Sequence, residues 1–157
     1  MENILTKTRK NICGRIADDE EKISYSQLQF IIALGEQCFL NEYVYSLTEA
    51  EKSSLNIIIN RCIDGKLNEK NISILSCYYP LYKLLDQIPS LKSFNSPNKS
   101  FMELIELQII EPLNEIELSK RTKRLGKIND KISQRVKSQY EENPYPRWKY
   151  SNHSKNQ

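Results

Sequence analysis

The sequence predicts an all-α protein, an orthogonal array of about five to seven helices with an extended spur at its C-terminal end. Three observations indicate this class. The chain of 157 residues holds only 4 glycines, few for the tight turns that β structure needs. Apolar residues recur at steps of three and four, the spacing of one helix face. The composition, 39% hydrophobic and 27% charged, is that of a globular protein.

The apolar pattern divides the chain into three parts. Residues 1–23 are polar and include the acidic run 18–21, so we expect a polar N-terminal arm with a short helix at most. A helical domain is expected over 24–141, and an extended spur and tail over 142–157. The first helix of the domain begins at Ser24 and should be central to the core, because its apolar stripe is wide. This stripe comprises Leu28, Phe30, Ile31, Ile32, Leu34, Gly35, Cys38, Phe39, Leu40 and Tyr43.

The next helix has clear boundary signals. Thr48 and Glu51 match a capping box, in which the hydroxyl bonds an exposed backbone amide and the carboxylate reaches back. Gly65 suits the position just past the end of this helix. The face expected to be buried consists of Leu55, Ile58, Ile59 and Cys62.

Prolines set the later boundaries. Pro80 follows an expected helix over 69–79, and a further helical turn is expected at 81–85. Residues 86–99 contain two prolines and several Ser and Asn, which predicts an irregular loop. The chain becomes helical again near Ser100, and this helix must stop or bend at Pro112. A last helix is expected to run from about residue 129 to 140.

Residues suited to catalysis or metal binding are sparse. The four cysteines form no CxxC pair, and the single histidine, His153, lies in a polar tail, so we expect buried reduced thiols and no metal site. The glutamates of 103–117 have the spacing of a solvated helix face, and no catalytic residue is assigned. The N-terminus lacks a signal-peptide core, and no apolar run reaches about 18 residues. We therefore expect a cytoplasmic protein without a membrane partner.

Positive charge is concentrated in the last quarter of the chain. Residues 119–157 carry 11 Lys or Arg against 3 acidic residues, whereas 1–118 carries 12 against 17. Such a segment could hold the phosphates of RNA or DNA, or it could be a solvated connector and helix face. The candidate basic patch consists of Lys120, Arg121, Lys123, Arg124, Lys127, Lys131 and Arg135.

The most distinctive segment is the spur YEENPYPRW, residues 140–148. Pro144 and Pro146 prevent a regular helix and favour extended backbone before them. The two aromatic rings are large anchors that lose little side-chain entropy on binding. The spur therefore either folds back on its own domain or docks to a partner. The candidate docking motif comprises Tyr140, Asn143, Pro144, Tyr145, Pro146, Arg147 and Trp148.

Residues 128–148 resemble the segment just upstream of the catalytic domain in a family of bacterial class I S-adenosylmethionine-dependent methyltransferases that often carry tetratricopeptide repeats. The run QCFLNEYV at 37–44 and the triplet EPL at 111–113 are also similar to that family's helical region, and the three segments have the same order. The resemblance thus covers roughly residues 24–148.

The resemblance implies an accessory helical region without the α/β domain that holds the cofactor. That domain begins with a strand and a glycine-rich turn, whereas the chain ends nine residues after Trp148, and its four glycines are at least 21 residues apart. We therefore expect no cofactor in this chain. S-adenosylmethionine is implied only for a partner or a missing domain.

The leading hypothesis is a non-catalytic module that docks to a methyltransferase domain, or to a separate methyltransferase chain, and shapes substrate access. One alternative is a small nucleic-acid-binding protein that uses the basic C-terminal third. Another is a degenerate remnant of a larger methyltransferase.

Overall fold

The computed structural model describes residues 4–18, 23–121, 135 and 138–139. The chain divides into two compact units, with the boundary between Arg121 and Thr122. The predicted helical domain of 24–141 therefore spans parts of both units. In the second unit, Arg135, Ser138 and Gln139 are helical and exposed. The predicted spur of 142–157 lies outside the described residues.

The first unit is built from helices, and no strand occurs in the parts of it that are described. The all-α prediction is confirmed. No helix in the described part of the chain is both long and apolar enough to cross a bilayer. The α-helices are α1 (Ile4–Ala17), α2 (Tyr25–Leu40), α3 (Glu49–Ile63), α4 (Glu69–Ser76), α5 (Lys99–Ile105) and α6 (Glu111–Arg121).

Local signals placed the starts of α2 and α3 correctly. Ser24 caps α2 through a capping box with Gln27, and Thr48 caps α3 through the predicted box with Glu51. The predicted buried face of α3 is confirmed, with Leu55, Ile58, Ile59 and Cys62 all buried. Gly65 follows α3 with φ of 85°, a backbone conformation that glycine adopts without steric cost.

Helix α2 is central to the core, as its apolar stripe predicts. It packs against α4 and α5, and Ile31, Ile32 and Cys38 are almost completely buried. The contact with α4 is close at Gly35, where an added Cβ would lie 2.0 Å from Oγ of Ser76. Phe30 departs from the prediction, since 47% of its surface is exposed.

The segment after α4 is more ordered than predicted. Helix α4 ends at Ser76, and 3₁₀ turns follow at Leu81–Leu84 and Pro89–Ser93. The second turn lies inside the predicted loop of 86–99, and it buries Leu91 completely. A single buried leucine supplies too weak a periodicity to be recognised as helical from sequence.

Pro112 does not end the helix in which it lies. A π-helical segment, Glu106–Ile110, joins α5 to α6, and Pro112 is the second residue of α6. A π-turn changes the hydrogen-bond register locally, and this widening just before Pro112 accommodates the missing N–H of the proline. The glutamates of 103–117 lie on the exposed side, as predicted.

The predicted N-terminal arm is wrong in one respect. Residues 4–17 form a 14-residue helix, α1, that packs against α3 and α4. Its buried face consists of Arg9, Cys13, Ile16 and Ala17. The helix was not predicted from sequence because its buried face includes an arginine, and sequence patterns count arginine as a solvated residue.

Candidate functional site

An open recess of about 520 Å³ lies between α1 and α2 and is the best candidate site in the described part of the chain. We call it the α1–α2 groove. Its base is apolar, since Ile16 and Ile31 are 2% and 1% exposed. Ile12, Ile23 and Phe30 extend this apolar surface toward the opening.

Polar groups line the rim of the groove. On α1, Lys7, Asn11 and Arg15 follow at four-residue steps, so they project from one face of the helix. Ser26 and Gln27 contribute from the first turn of α2. The two charged residues among the eleven described lining residues are both cations, and none of the eleven has a carboxylate, thiol or imidazole. The described lining residues therefore combine an apolar base with polar side chains at the rim.

The α2 side of the rim is held by the capping box. Gln27 Oε1 accepts a hydrogen bond from the Ser24 backbone N–H at 2.8 Å, and the Gln27 N–H donates to Ser24 Oγ at 3.3 Å. Ser26 Oγ lies 3.1 Å from Ser24 Oγ. These bonds fix the first turn of α2 and so fix one wall of the groove.

The α1 side of the groove is held from behind by Arg9, which is 1% exposed. Its guanidinium lies 3.5 Å from Glu51 Oε1, 4.2 Å from the centre of the Tyr78 ring and 5.6 Å from that of Tyr45. It also donates hydrogen bonds to the carbonyl oxygens of Ser46 and Cys77. Arg9 thus ties α1 to the start of α3 and to the end of α4.

Glu51 is held as a carboxylate in this cluster. Burial alone would raise its pKa, but hydrogen bonds from the Thr48 N–H and hydroxyl and from Tyr78, with the charge of Arg9, lower the pKa below 4.5. Tyr78 Oη donates to Glu51 Oε1 at 2.9 Å. Burial first, and the neighbouring negative groups second, raise the pKa of Tyr78 far above its ordinary value. A neutral phenol therefore donates a hydrogen bond to the carboxylate of a buried ion pair.

The C-terminal end of α1 is fixed by α3. Arg61 donates a hydrogen bond at 2.8 Å to the carbonyl oxygen of Ile16, and another to that of Ala17. A cation at this end also interacts favourably with the helix dipole. The wall of the groove that α1 forms is therefore anchored near its middle by Arg9 and at its end by Arg61.

A second buried node lies at Gln108, in the π-helical segment. Its Nε2 donates to the carbonyl oxygens of Gly35 and Ser76, and its Oε1 accepts from Tyr43 Oη and from the Leu81 N–H. One side chain therefore joins the π-helical segment to α2, to the turn after α2, to α4 and to the first 3₁₀ turn. Because such a network is satisfied throughout, it favours one packing arrangement of α2, α4 and the π-helical segment.

The predicted site residues fall mostly outside this region. The whole docking motif, 140–148, lies beyond the described residues, as do Lys123, Arg124, Lys127 and Lys131 of the basic patch. Lys120 and Arg121 occupy the last turn of α6, where they lie 3.9 Å and 2.9 Å from the carboxylate of Glu117. Arg135 is exposed. Within α6, the two residues of the patch thus lie on a helix face and form ion pairs with Glu117 of the same helix.

The thiol predictions are confirmed. All four cysteines are free and buried, and burial raises the pKa of both Cys13 and Cys62 to about 11. No group of residues suited to holding a metal ion occurs among the residues described.

Sequence reasoning missed the α1–α2 groove because it treated residues 1–23 as an arm. One signal was present: residues 9, 13 and 16–17 repeat at helical steps, and residues 7, 11 and 15 form the adjacent polar face. Comparison of the chain with protein-family models, with curated proteins and with solved structures finds no match.

Proposed function

We propose that this chain is a non-catalytic helical module that docks to a class I S-adenosylmethionine-dependent methyltransferase domain and shapes its substrate access. The observation that carries the proposal is the resemblance of 140–148 to the segment upstream of that catalytic domain. On this proposal the cofactor belongs to the partner, and Tyr145, Arg147 and Trp148 seat the partner domain.

The positions of the two other resembling segments support the proposal. Segment 37–44 covers the end of α2 and the turn after it, in which Glu42 and Tyr43 have φ of 55° and 53°. Such angles are uncommon for residues other than glycine, so this turn is specified by its surroundings. Tyr43 Oη lies 3.2 Å from Gln108 Oε1 and 3.1 Å from the Ser76 carbonyl oxygen, and these two acceptors share its single proton.

Segment 111–113 opens α6 directly after the π-helical segment that carries Gln108. Both resembling segments therefore adjoin the same buried node. Residues that shape one node of a fold are expected to persist together where that fold persists. This placement supports reading the two segments as parts of one helical architecture instead of as separate chance similarities.

The test is binding of the full chain to a methyltransferase encoded immediately downstream of it, measured by calorimetry. Burying a tryptophan in such an interface contributes a few kcal/mol, so Trp148→Ala should weaken binding at least about tenfold. Tyr25→Ala is the matched control, since Tyr25 is 72% exposed on α2 and lies outside the motif. Equal affinity of the wild-type chain and Trp148→Ala would remove the docking role from the motif.

A second calorimetric titration tests the location of the cofactor site. The chain alone should give no saturable heat with S-adenosylmethionine, whereas its complex with the methyltransferase should bind the cofactor. A micromolar dissociation constant for the isolated chain would overturn the non-catalytic assignment.

The charge imbalance of residues 119–157 favours one alternative, nucleic-acid binding. Each phosphate contact releases a counterion, so affinity through this segment should fall steeply with salt. We expect weak, sequence-independent binding to a single-stranded oligonucleotide that disappears near physiological salt, measured by fluorescence anisotropy. A tight complex at that salt concentration would favour the nucleic-acid function over docking to a methyltransferase.

A further inference from the structure

We infer that Cys38 and Cys77 form a redox-active pair, which a peroxide converts into a disulfide between the C-terminal ends of α2 and α4. Cys38 lies in the last turn of α2, and Cys77 directly follows α4. The inference does not depend on the proposed function, because all four cysteines of the chain lie in the first unit and are described. It requires neither the C-terminal motif nor a partner protein.

The packing of α4 on α2 brings the two thiols together. Cys77 Sγ lies 3.6 Å from the carbonyl oxygen of Ile31, and Ser76 lies close against Gly35. Ile31, Gly35 and Cys38 occupy one face of α2, because they follow at steps of four and three. The end of α4 therefore rests on the face of α2 that carries Cys38, and the thiols of Cys38 and Cys77 form a hydrogen bond.

A fixed cation adjoins this pair. Arg9 donates a hydrogen bond to the Cys77 carbonyl oxygen at 3.4 Å, and its guanidinium also interacts with the Cys38 thiol. Although Arg9 is ion-paired with Glu51, its charge still contributes at Cys38. The hydrogen bond from Cys77 lowers the pKa of Cys38 below its ordinary value, burial opposes this shift, and the charge of Arg9 adds to the lowering. Cys38 is therefore the nucleophile of the pair, since the thiolate is the reactive form.

The other three thiols are shifted in the opposite direction. Burial raises the pKa of both Cys13 and Cys62 to about 11. Burial first, and the hydrogen bond with Cys38 second, raise the pKa of Cys77. A thiol with a raised pKa holds little thiolate near neutral pH and is a poor nucleophile there. Oxidation by peroxide should therefore favour Cys38.

The reaction has two steps, with hydrogen peroxide as the oxidant. The Cys38 thiolate attacks one peroxide oxygen and the O–O bond breaks, which leaves a sulfenic acid on Cys38 and hydroxide that is protonated to water. The Cys77 sulfur then attacks the Cys38 sulfur. The S–S bond forms, the S–O bond breaks, and the proton of Cys77 leaves with the hydroxyl as a second water. Both thiols are buried, so peroxide reaches them through a local opening at the contact of α2 and α4.

The experiment treats the folded full-length chain with hydrogen peroxide at pH 7. Catalase stops the reaction, N-ethylmaleimide blocks the remaining thiols in denaturant, and unreduced proteolytic peptides are identified by mass spectrometry. We expect a monomeric product whose main crosslink joins Cys38 to Cys77, and which dithiothreitol converts back to free thiols. Oxidation of Cys38 should be at least about tenfold faster than that of Cys62, a buried thiol on α3.

Matched variants separate the roles of the two thiols. Cys77→Ala removes the second step, so Cys38 should stop at the sulfenic acid, which dimedone traps. Cys38→Ala removes the first step, so Cys77 should give no dimedone adduct. Cys13→Ala/Cys62→Ala should form the same disulfide at the wild-type rate. Cooperative unfolding in urea establishes that each variant is folded.

Any of three results would overturn the inference, and the first two need only the wild-type chain. The first is absence of the Cys38–Cys77 disulfide after prolonged treatment with peroxide. The second is a mixture in which other pairings, or crosslinks between chains, are equally abundant, because this would show that oxidation follows global unfolding. The third is a dimedone adduct that forms on Cys77 in Cys38→Ala as fast as on Cys38 in Cys77→Ala, which would show that Cys38 is not the nucleophile.

Discussion

Helices α1 and α2 pack on the same core through different kinds of interaction. The buried face of α2 is apolar and includes Ile31, Ile32 and Phe39. The buried face of α1 places a charged group, Arg9, among small or medium side chains. Arg9 is held by Glu51 and by the rings of Tyr78 and Tyr45.

This difference determines how each helix responds to change. Apolar contacts are non-directional and scale with area, so α2 should lose stability in proportion to the volume that is removed. A buried ion pair depends on both partners, and removal of one leaves the other charged in a low-dielectric interior. The attachment of α1 should therefore fail sharply when a single residue is changed.

The largest expected effect follows from Arg9→Met. This change keeps much of the apolar stem but leaves the Glu51 carboxylate without its cation, which should lower the free energy of unfolding by about 3–5 kcal/mol. The double variant Arg9→Met/Glu51→Gln should recover part of this loss, because no buried charge remains. Urea denaturation of the two variants measures both values. A double variant less stable than Arg9→Met would show that the buried charge is not the source of the loss.

The next largest effect on stability is expected when a glycine in each of the two helices is replaced by alanine. Gly35→Ala in α2 puts a Cβ against Ser76 Oγ, and this overpacking should cost about 1–3 kcal/mol. Gly14→Ala in α1 meets nothing within 4 Å, so it should stabilise the protein by about 0.5–1 kcal/mol. Thermal unfolding should show opposite signs. Destabilisation by Gly14→Ala would mean that α1 packs more closely than described.

A smaller effect concerns acid stability. The pKa of Glu51 is lowered in the folded protein, so its carboxylate stabilises the fold fully above pH 4.5 and loses that contribution as pH falls through the folded pKa. Glu51→Gln should therefore be less stable than wild type at pH 7, and the difference should shrink below pH 4.5. Denaturation curves from pH 7 to pH 3 measure this trend. A constant difference over that range would contradict the role of the charged form.

The smallest effect is kinetic and leaves global stability unchanged. If α1 detaches locally more often than α2 does, Cys13 should react with a thiol reagent before Cys38 when the protein is folded. Both thiols are buried, so each reaction requires an opening event. Single-cysteine variants at pH 8 measure the two rates separately. Equal rates would indicate that α1 and α2 open in one cooperative unit.

The same contrast explains which elements could be predicted from sequence. The starts of α2 and α3 depend on residues three positions apart, Ser24 with Gln27 and Thr48 with Glu51, so local pattern was sufficient. The burial of Arg9 depends on Cys77, 68 positions away, and on Glu51 and Tyr78. No local rule predicts that an arginine will find such partners, and α1 was therefore interpreted as an arm.

The candidate site could not be predicted from local sequence either. Lys7, Asn11 and Arg15 share a helix face by sequence alone, but nothing in the sequence places that face beside Ser26 and Phe30. The π-helical segment before Pro112 is similar, because the proline predicts an interruption and only the packing around Gln108 shows how the helix continues. The resemblance to methyltransferases rests on residues 37–44, 111–113 and 128–148 and is a prediction from sequence.

The sequence by itself determined the helical class, the start of α2, the cap of α3 and the buried thiols, because these follow from periodicity, local hydrogen bonds and the preference of apolar side chains for the interior. Only the tertiary structure decided that α1 belongs to the core and that a groove opens between α1 and α2. The physical reason is that both features require side chains from distant segments to satisfy one another's charge and hydrogen bonds, and such pairings are specified by the fold as a whole.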